Sequence, residues 1–532
     1  MAVNLAELLT SARQEAPDAV ALVEAETGRE VTWAELDAEV DRVAQGLSEL
    51  GLVAGYRVMI ALTNRVEFFT TYLAVLRARL VAVPVNPRSA TGELVRMMAD
   101  SGARAVFADS TTVTGVRSAS AGLHDALMGA DEELKARAFV PHVVTVGVPS
   151  IPGETTYDAL GASVHPTAVT DAQDPEALAV LLYTSGTSGR PRAAMLTHRA
   201  LLANLEQGAQ VSPPAIGPGD VVYGVLPMFH VYGLNAVFGS VLWFRARLVL
   251  ANGFDVEGSL DTIEDLGVTV VPVAPPVFAY WRGVDDLAAR LSGVRLMLSG
   301  SAPLDPELVT EFTARTGKEV HQGYGLTEAA PVVTSTLVSR TPKAGSVGAA
   351  LPGIEIRLVD EQGHQPDGED PGEIEIRGAN LFSGYWPDGA DGPGADGWYA
   401  TGDVGFLDPD GDLFLVDRLK ELVIVSGFNV YPVEIEEVIL DVEGVAEAAV
   451  IGTPDPATGE AVVAFVVPSG DTLRTPAEIE AAVRDRCMER LARFKQPKEI
   501  NVVDELPHTG TGKVAKGRLR AVRRRQNLGL LE

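Results

Sequence analysis

The 532-residue sequence predicts an α/β protein in three parts. A large N-terminal domain of layered α/β sheets carries a small β-rich subdomain, and a smaller C-terminal α/β domain follows. Three observations predict this. Short apolar runs alternate with helix-length segments throughout the first half. After about Gly345 the pattern changes to alternating strands set between Gly, Pro and Asp turns. From Asp417 onward helix and strand alternate again, over a length typical of one domain. A chain of this size exceeds what a single core supports. The boundaries read as 1–417 for the first domain (with about 345–417 as the β-rich part), 418–420 as a connector and 421–532 as the last domain.

Each element has a local cause. Thr32 with Glu35 three residues later forms a capping-box pattern that opens a helix running toward Leu50. Arg57–Thr63 reads as a buried strand, Phe68–Leu80 as a helix, and Val81–Val85 as a second strand closed off by Pro87. Ala105–Ala108, Val143–Val146 and Ala177–Tyr183 repeat the strand pattern, so the sheets are expected to be largely parallel. Ile354–Val359, Gly372–Arg377 and Leu413–Val416 supply the β-rich part. Trp386-Pro387-Asp388-Gly389 opens a Gly/Asp-rich stretch to Gly397 that reads as a flexible surface loop. The last domain is predicted from Val433–Leu440, Ala446–Thr453, Ala461–Pro468 and Pro476–Leu491.

Composition narrows the function. Hydrophobic residues make up 46% and charged residues 22%, as in an ordinary globular enzyme, and the formal net charge is −29. Such a field opposes nucleic acid or an anionic membrane as a main partner. The exception is Arg484–Arg525, where thirteen Lys and Arg face five Asp and Glu, which reads either as a solvated helix face or as a surface for a polyanionic small molecule. Cys487 is the only cysteine, so no intrachain disulfide forms. The N-terminus lacks a secretory pattern. The apolar stretch Val268–Trp281 is short and holds Pro272, Pro275 and Pro276, so no integral membrane segment is expected and the cytoplasm is the expected compartment.

Five clusters carry chemistry. Tyr183 leads into Thr184-Ser185-Gly186-Thr187-Ser188-Gly189-Arg190-Pro191-Arg192, where glycines, hydroxyls and arginines suit phosphate oxygens. No lysine follows the second glycine, so this is not the Gly-x4-Gly-Lys nucleotide loop. Gln322-Gly323-Tyr324-Gly325-Leu326-Thr327-Glu328 offers an aromatic face for a purine and a carboxylate for Mg2+. Trp398 to Asp403 ends a turn in a carboxylate able to grip ribose hydroxyls. Asp417-Arg418-Leu419-Lys420 precedes Ser426-Gly427-Phe428-Asn429-Val430-Tyr431-Pro432. Last, Thr509-Gly510-Thr511-Gly512 presents Lys513 on a tight turn.

In this order the clusters resemble the adenylate-forming superfamily of acyl-CoA synthetases, luciferases and peptide-synthetase adenylation domains. The resemblance spans Thr32 to Lys513, and the fourth cluster looks most like bacterial fatty-acyl-CoA ligases. It implies ATP-dependent activation of a carboxylic acid to acyl-AMP and then acyl-CoA, with ATP, Mg2+ and coenzyme A. A medium- or long-chain fatty acid is the expected substrate. The alternatives are a carrier-protein-loading ligase, or a CoA ligase for an aryl or short dicarboxylic acid. The resemblance also implies a mobile C-terminal domain turning about Arg418–Lys420, and leaves room for a homodimer.

By the same resemblance, Thr184, Ser185, Gly186, Thr187, Ser188, Gly189 and Arg192 hold phosphates, and Thr184, Thr327 and Glu328 serve Mg2+. Gly300, Ser301, Ala302, Gln322, Gly323, Tyr324 and Gly325 frame adenine, while Asp403 and Arg418 bind ribose. Lys513 bridges the carboxylate and the α-phosphate, and is a site where acetylation would remove the charge. Lys420, Ser426, Gly427 and Phe428 serve the thiol step, Gly427 because a side chain would close the passage. Arg192-Ala193 stands where the family commonly has Lys-Gly. His230, in Leu226-Pro227-Met228-Phe229-His230-Val231-Tyr232, belongs to the acyl-pocket region. Val231, Leu234, Val237, Val273, Pro275 and Phe278 read individually as core packing and collectively suit a pocket for an alkyl chain, and Arg295 precedes the Ser299-Gly300-Ser301 turn.

Overall fold

The computed structural model describes residues 2–162, 174–184, 192–301, 304, 306–360, 363–366, 372–418, 423–430, 432–470, 472–507, 514, 516, 519–520 and 523. Four sheets organise them. The first has seven strands in the order Thr155–Thr156, His142–Thr145, Ala105–Ala108, Arg57–Ala61, Val81–Pro84, Leu178–Thr184 and Arg192–Thr197. All neighbours run parallel except the last pair, which is antiparallel.

The second sheet has nine strands and a core of parallel neighbours: Leu296–Ser299, Val270–Val273, Val221–Gly224, Arg247–Leu250 and Val20–Glu24. Val320–Gly325 continues it in parallel, and antiparallel Val332–Ser335 follows. A four-stranded antiparallel sheet comprises Glu355–Val359, Gly372–Arg377, Tyr399–Leu407 and Leu413–Arg418. The five-stranded C-terminal sheet centres on Gly459–Pro468, which pairs with Val445–Asp455, Val423–Val425 and, in parallel, Glu499–Val502.

Side-chain alternation divides the strands between cores. From Arg57–Ala61, Val58 and Ile60 enter the central core, while Met59 and Ala61 enter the one outside the seven-stranded sheet. From the nine-stranded sheet, Leu248 and Leu250 enter the central core and Val249 the outer one. Both faces are therefore covered, which is why these strands are continuously apolar in sequence. The capping box forms as the spacing predicts: Glu35 N donates to Thr32 Oγ1 at 3.2 Å, and Thr32 N to Glu35 Oε2 at 2.8 Å. The helix it opens runs Trp33–Glu49, with Trp33 fully buried.

Two expectations change. Trp386 does not open a free loop. Its N–H donates to the Ala193 carbonyl at 2.8 Å, and its indole N–H to the Asp100 carbonyl at 3.0 Å, so it is pinned to the seven-stranded sheet. The residues expected to form one acyl pocket fall on two sides of the nine-stranded sheet. Val231, Leu234 and Val237 belong to the central core, while Val273 and Phe278 belong to the outer one, where Phe278 meets Phe312 edge-on at 5.0 Å. Pro275 is likewise buried, at the N-cap of the short helix Pro276–Tyr280. Core packing accounts for all of these outer-face residues.

Among the described residues no helix is long and apolar enough to cross a membrane. Trp281 is fully buried in the outer core and donates its indole N–H to Ser259 Oγ at 3.2 Å. Trp281→Ala is expected to lower N-terminal-domain stability by about 3–5 kcal/mol, read as a drop in that domain's denaturant midpoint with the C-terminal transition unmoved.

Candidate functional site

The glycine-hydroxyl loop bridges two paired strands. Ser185, Gly186, Thr187, Ser188, Gly189 and Pro191 lie outside the described residues, but the flanking pair, Thr184 opposite Arg192, closes an antiparallel ladder. The Thr184 hydroxyl donates to the Arg192 carbonyl at 3.4 Å. This hairpin return explains why a strand, and not a helix, follows the loop.

Arg192 leads to the second cluster. Its guanidinium lies 3.9 Å from the centroid of the Tyr385 ring and 2.7 Å from Asp391. Tyr385 is 8% exposed, and its hydroxyl donates a short hydrogen bond to Glu328 Oε1. Burial and then the Glu328 charge push the Tyr385 hydroxyl pKa far up, so this group remains a donor. The Glu328 carbonyl accepts from Phe382 N at 2.9 Å, which fixes the short Thr327–Ala329 turn against the same segment. The end of the loop and the carboxylate expected at Mg2+ are thus joined through one tyrosine. Sequence reasoning missed Tyr385; its only signal was an aromatic pair, Tyr385-Trp386, preceding a proline.

Among the described residues no three His, Cys, Asp or Glu side chains converge as a metal cage. Mg2+ usually takes one or two carboxylates and completes its shell with phosphates and water. The Glu328 carboxylate, held by Tyr385, is a donor of that kind and fits a phosphate-bound ion, with the Thr184 hydroxyl the second donor expected.

Tyr324 lies on strand Val320–Gly325 and is 5% exposed. Its hydroxyl donates to Asp403 Oδ2 at 2.7 Å. Its flanking glycines answer to close packing: a Cβ on Gly323 would stand 2.7 Å from the Thr334 carbonyl oxygen, and one on Gly325 2.5 Å from that of Pro331. Asp403 stands opposite Arg418 in the antiparallel pair that ends the four-stranded sheet. The cluster expected at the base and the carboxylate expected at the ribose are therefore in direct contact. Gln322 donates its N–H to Thr336 Oγ1 at 3.0 Å. A Cβ on Gly300 would come within 3.0 Å of the Tyr232 ring, so this glycine lets the tyrosine lie across the turn. Ala302 lies outside the described residues.

The C-terminal domain meets this surface through Phe428. Its ring stacks on Phe229 (centroids 6.1 Å apart, planes 13°) and tilts against His230 at 5.6 Å. Ser301 (φ 73°) and Ser426 (φ 51°) are both left-handed, an uncommon state for serine that concentrates at functional sites. Gly427 lies near Ser301 and Ala274, but a Cβ on it would make only ordinary contacts at 3.9 and 3.8 Å. The φ of +81° by itself favours glycine there. Arg295 is not a free pocket cation: its Nε donates to Asp220 Oδ1 at 2.7 Å. Lys420 and Lys513 lie outside the described residues.

His230 Nε2 is buried and has no hydrogen-bond partner among the described residues, and burial lowers the ring pKa to about 4. The imidazole is neutral at physiological pH. With a folded pKa below the unfolded one, stability is lost as pH falls from about 6.5 toward 4. Histidine-selective NMR is expected to show the His230 ring neutral at pH 6, and His230→Gln to flatten the acid side of the stability curve. A ring titrating near 6.5 contradicts this.

A family model described as AMP-binding enzyme matches residues 9–386, and one described as AMP-binding enzyme C-terminal domain matches residues 434–513. The chain is 35% identical over 516 residues to 4-coumarate–CoA ligase 5 of Oryza sativa subsp. japonica, covering 95% of this chain and 92% of that one. It is 34% identical over 517 residues to a long-chain-fatty-acid–CoA ligase of Yersinia pestis, covering 93% and 90%. It superposes with a TM-score of 0.81 on a double mutant of Bacillus subtilis o-succinylbenzoate CoA synthetase bound with its product analogue OSB-NCoA. That match is at 26% identity over 97% of this chain and 98% of the other.

Proposed function

Because the chain belongs to the AMP-binding enzyme family, over both its large and its C-terminal parts, we propose that it is an AMP-forming acid–CoA ligase. One observation carries this reading: the Arg192–Tyr385–Glu328 chain ties the end of a phosphate-type loop to a carboxylate suited to Mg2+. In the first half-reaction a carboxylate oxygen of the acid bonds to the α-phosphorus of ATP, and the bond to the β-phosphate oxygen breaks, releasing pyrophosphate. Anion must meet anion, so cationic and N–H donors have to stand where charge accumulates. Mg2+, when bound, neutralises phosphate charge.

In this proposal Thr184, Ser185, Gly186, Thr187, Ser188, Gly189 and Arg192 hold the β- and γ-phosphates. Tyr385 holds Glu328 in place for the metal. Gly300, Ser301, Ala302, Gln322, Gly323, Tyr324 and Gly325 border adenine, Tyr324 chiefly through the hydroxyl bound to Asp403. Asp403 and Arg418 take the ribose, and Lys513 bridges carboxylate and α-phosphate. In the second half-reaction the coenzyme A sulfur bonds to the acyl carbon and AMP departs. Residues 418–420 serve as the pivot, and Ser426, Gly427 and Phe428 border the thiol's approach beside neutral His230. The packing of Phe428 on Phe229 supports assigning the arrangement described above to this second step. So does the close superposition on the product-analogue-bound synthetase.

The acid we propose is apolar, a medium- or long-chain fatty acid. The pairing of Arg295 with Asp220 argues against a dicarboxylate, whose second charge would need a free cation. An aryl acid is the second reading, favoured by the 4-coumarate relative and by Tyr232 lying across Gly300.

Pyrophosphate exchange with fatty, aryl, dicarboxylic and amino acids, followed by coenzyme A-dependent AMP release, tests the assignment. Exchange is expected with apolar acids only, and transfer solely to a carrier protein would refute the coenzyme A step. Lys513→Ala is expected to lower adenylate formation by roughly 10²–10³ while thioester formation from supplied acyl-adenylate persists. Equal loss of both steps would speak against alternation.

A further inference from the structure

A buried charge cluster joins the two halves of the molecule away from the reacting groups. Lys495 closes the short turn Arg493–Lys495 of the C-terminal domain. Its Nζ lies 2.6 Å from Glu93 Oε1, and 3.0 and 3.1 Å from the two oxygens of Glu434. The Lys495 side chain is 10% exposed and each glutamate 6%. Glu434 belongs to the C-terminal helix Pro432–Leu440, whereas Glu93 belongs to the N-terminal helix Thr91–Ser101 and lies 402 positions away in sequence. Arg96, one turn along from Glu93, stands 4.0 Å from Glu434 and offsets the second carboxylate from a half-exposed position.

The neighbouring residue connects this cluster to the site. The Phe494 ring stacks on Phe428 at 4.5 Å, and Phe428 in turn stacks on Phe229 and tilts against His230. One three-residue turn therefore places an ammonium between the domains and an aromatic ring behind the residue that faces His230.

Resting on the two-step reading above, we propose that Lys495 is a positioning residue for thioester formation: clamped between Glu93 and Glu434, it locks the C-terminal domain where Phe428 meets His230. The Lys495–Glu434 pair lies within one domain and survives any rotation. The Lys495–Glu93 bond does not. A buried ion pair suits a contact that must open on each turnover. Its Coulomb gain roughly balances the desolvation of its charges, so the closed state is specific in geometry without being overly stable. An apolar contact of similar area would hold more firmly and tolerate sliding.

Glu93→Gln tests this on the N-terminal side. The amide keeps an oxygen for the helix cap, where Ala90 N donates to Glu93 Oε2 at 2.9 Å, and removes only the charge. Thioester formation from supplied acyl-adenylate and coenzyme A is expected to fall at least about tenfold, because Lys495 loses a buried partner. Pyrophosphate exchange is expected to change less than about twofold. The paired exchange Glu93→Lys with Lys495→Glu should recover part of the loss, a rescue that a merely structural role would not produce.

Spin labels at exposed Thr114 and Ala481, each replaced by Cys, read the domain arrangement without catalysis. Glu93→Gln should move population away from the docked distance, and the paired exchange should return it. Unchanged thioester rates with an unchanged distance distribution overturn the proposal, as does equal loss of both half-reactions without rescue. If the unsubstituted enzyme activates no acid, the functional reading fails instead, and the distances alone decide whether the lock exists.

Discussion

The antiparallel pairing of Leu178–Thr184 with Arg192–Thr197 is the constraint on which the rest of the site depends. The five other strands of that sheet could be satisfied by parallel crossovers, which place the chain's return on a helix. A hairpin instead holds Thr184 and Arg192, the two ends of the loop, at one strand spacing. The same pairing delivers Arg192 onto Tyr385, and Tyr385 onto Glu328. Replacing the family's usual lysine by arginine makes sense in that setting. A guanidinium stacks flat on a ring and still reaches Asp391, which an ammonium does less well.

The second organising contact lies between domains. Phe428 sits in a column of rings, with Phe229 on one side and Phe494 on the other, and His230 tilted at the edge. Such contacts are broad and non-directional. Alone they would let the domains slide. The charged cluster at Lys495 adds direction, because an ammonium between two carboxylates tolerates little displacement in a dry environment. Positive φ at Ser301, Ser426 and Gly427 marks the two loops that face each other there, where the chain must turn sharply to bring backbone close to backbone. Strain, stacking and charge thus converge on one seam.

Much of this was legible in the sequence where chemistry is local. Thr32 and Glu35 cap a helix because the partners are three residues apart, and the apolar runs became strands because burial on both faces needs no alternation. The loop motifs were legible because glycine and hydroxyl residues have few other reasons to cluster after a buried strand. What escaped is non-local. Tyr385 and Glu328 are 57 positions apart, and Glu93 and Lys495 are 402, with nothing in either neighbourhood to announce a partner. The same holds for the apolar residues assigned to one pocket. Val231 and Val273 look alike in sequence, yet a sheet stands between them. The positive φ of Gly427 is of the same kind, since backbone dihedrals cannot be read from composition.

The net charge of −29 bears on how polyanionic substrates reach such a protein. At physiological ionic strength charges are screened over about 8 Å, so the acidic body repels only what comes close to it. What a phosphate meets at short range is decided by the nearest few side chains. Many of the arginines are already committed: Arg77 to Asp37 and Asp41, Arg117 to Glu154, Arg295 to Asp220. These pairs remove cations from the competition and leave the surface acidic almost everywhere else. Most described cations of the basic stretch from Arg484 to Arg525 are committed as well: Arg484 to Glu480, Arg486 to Asp441 and Glu489, Lys495 to Glu93 and Glu434, Lys498 to Asp455, Lys516 to Glu436 and Arg523 to Glu499. The cations of that stretch are therefore spent chiefly on holding the C-terminal part together and, at Lys495, on joining it to the N-terminal part.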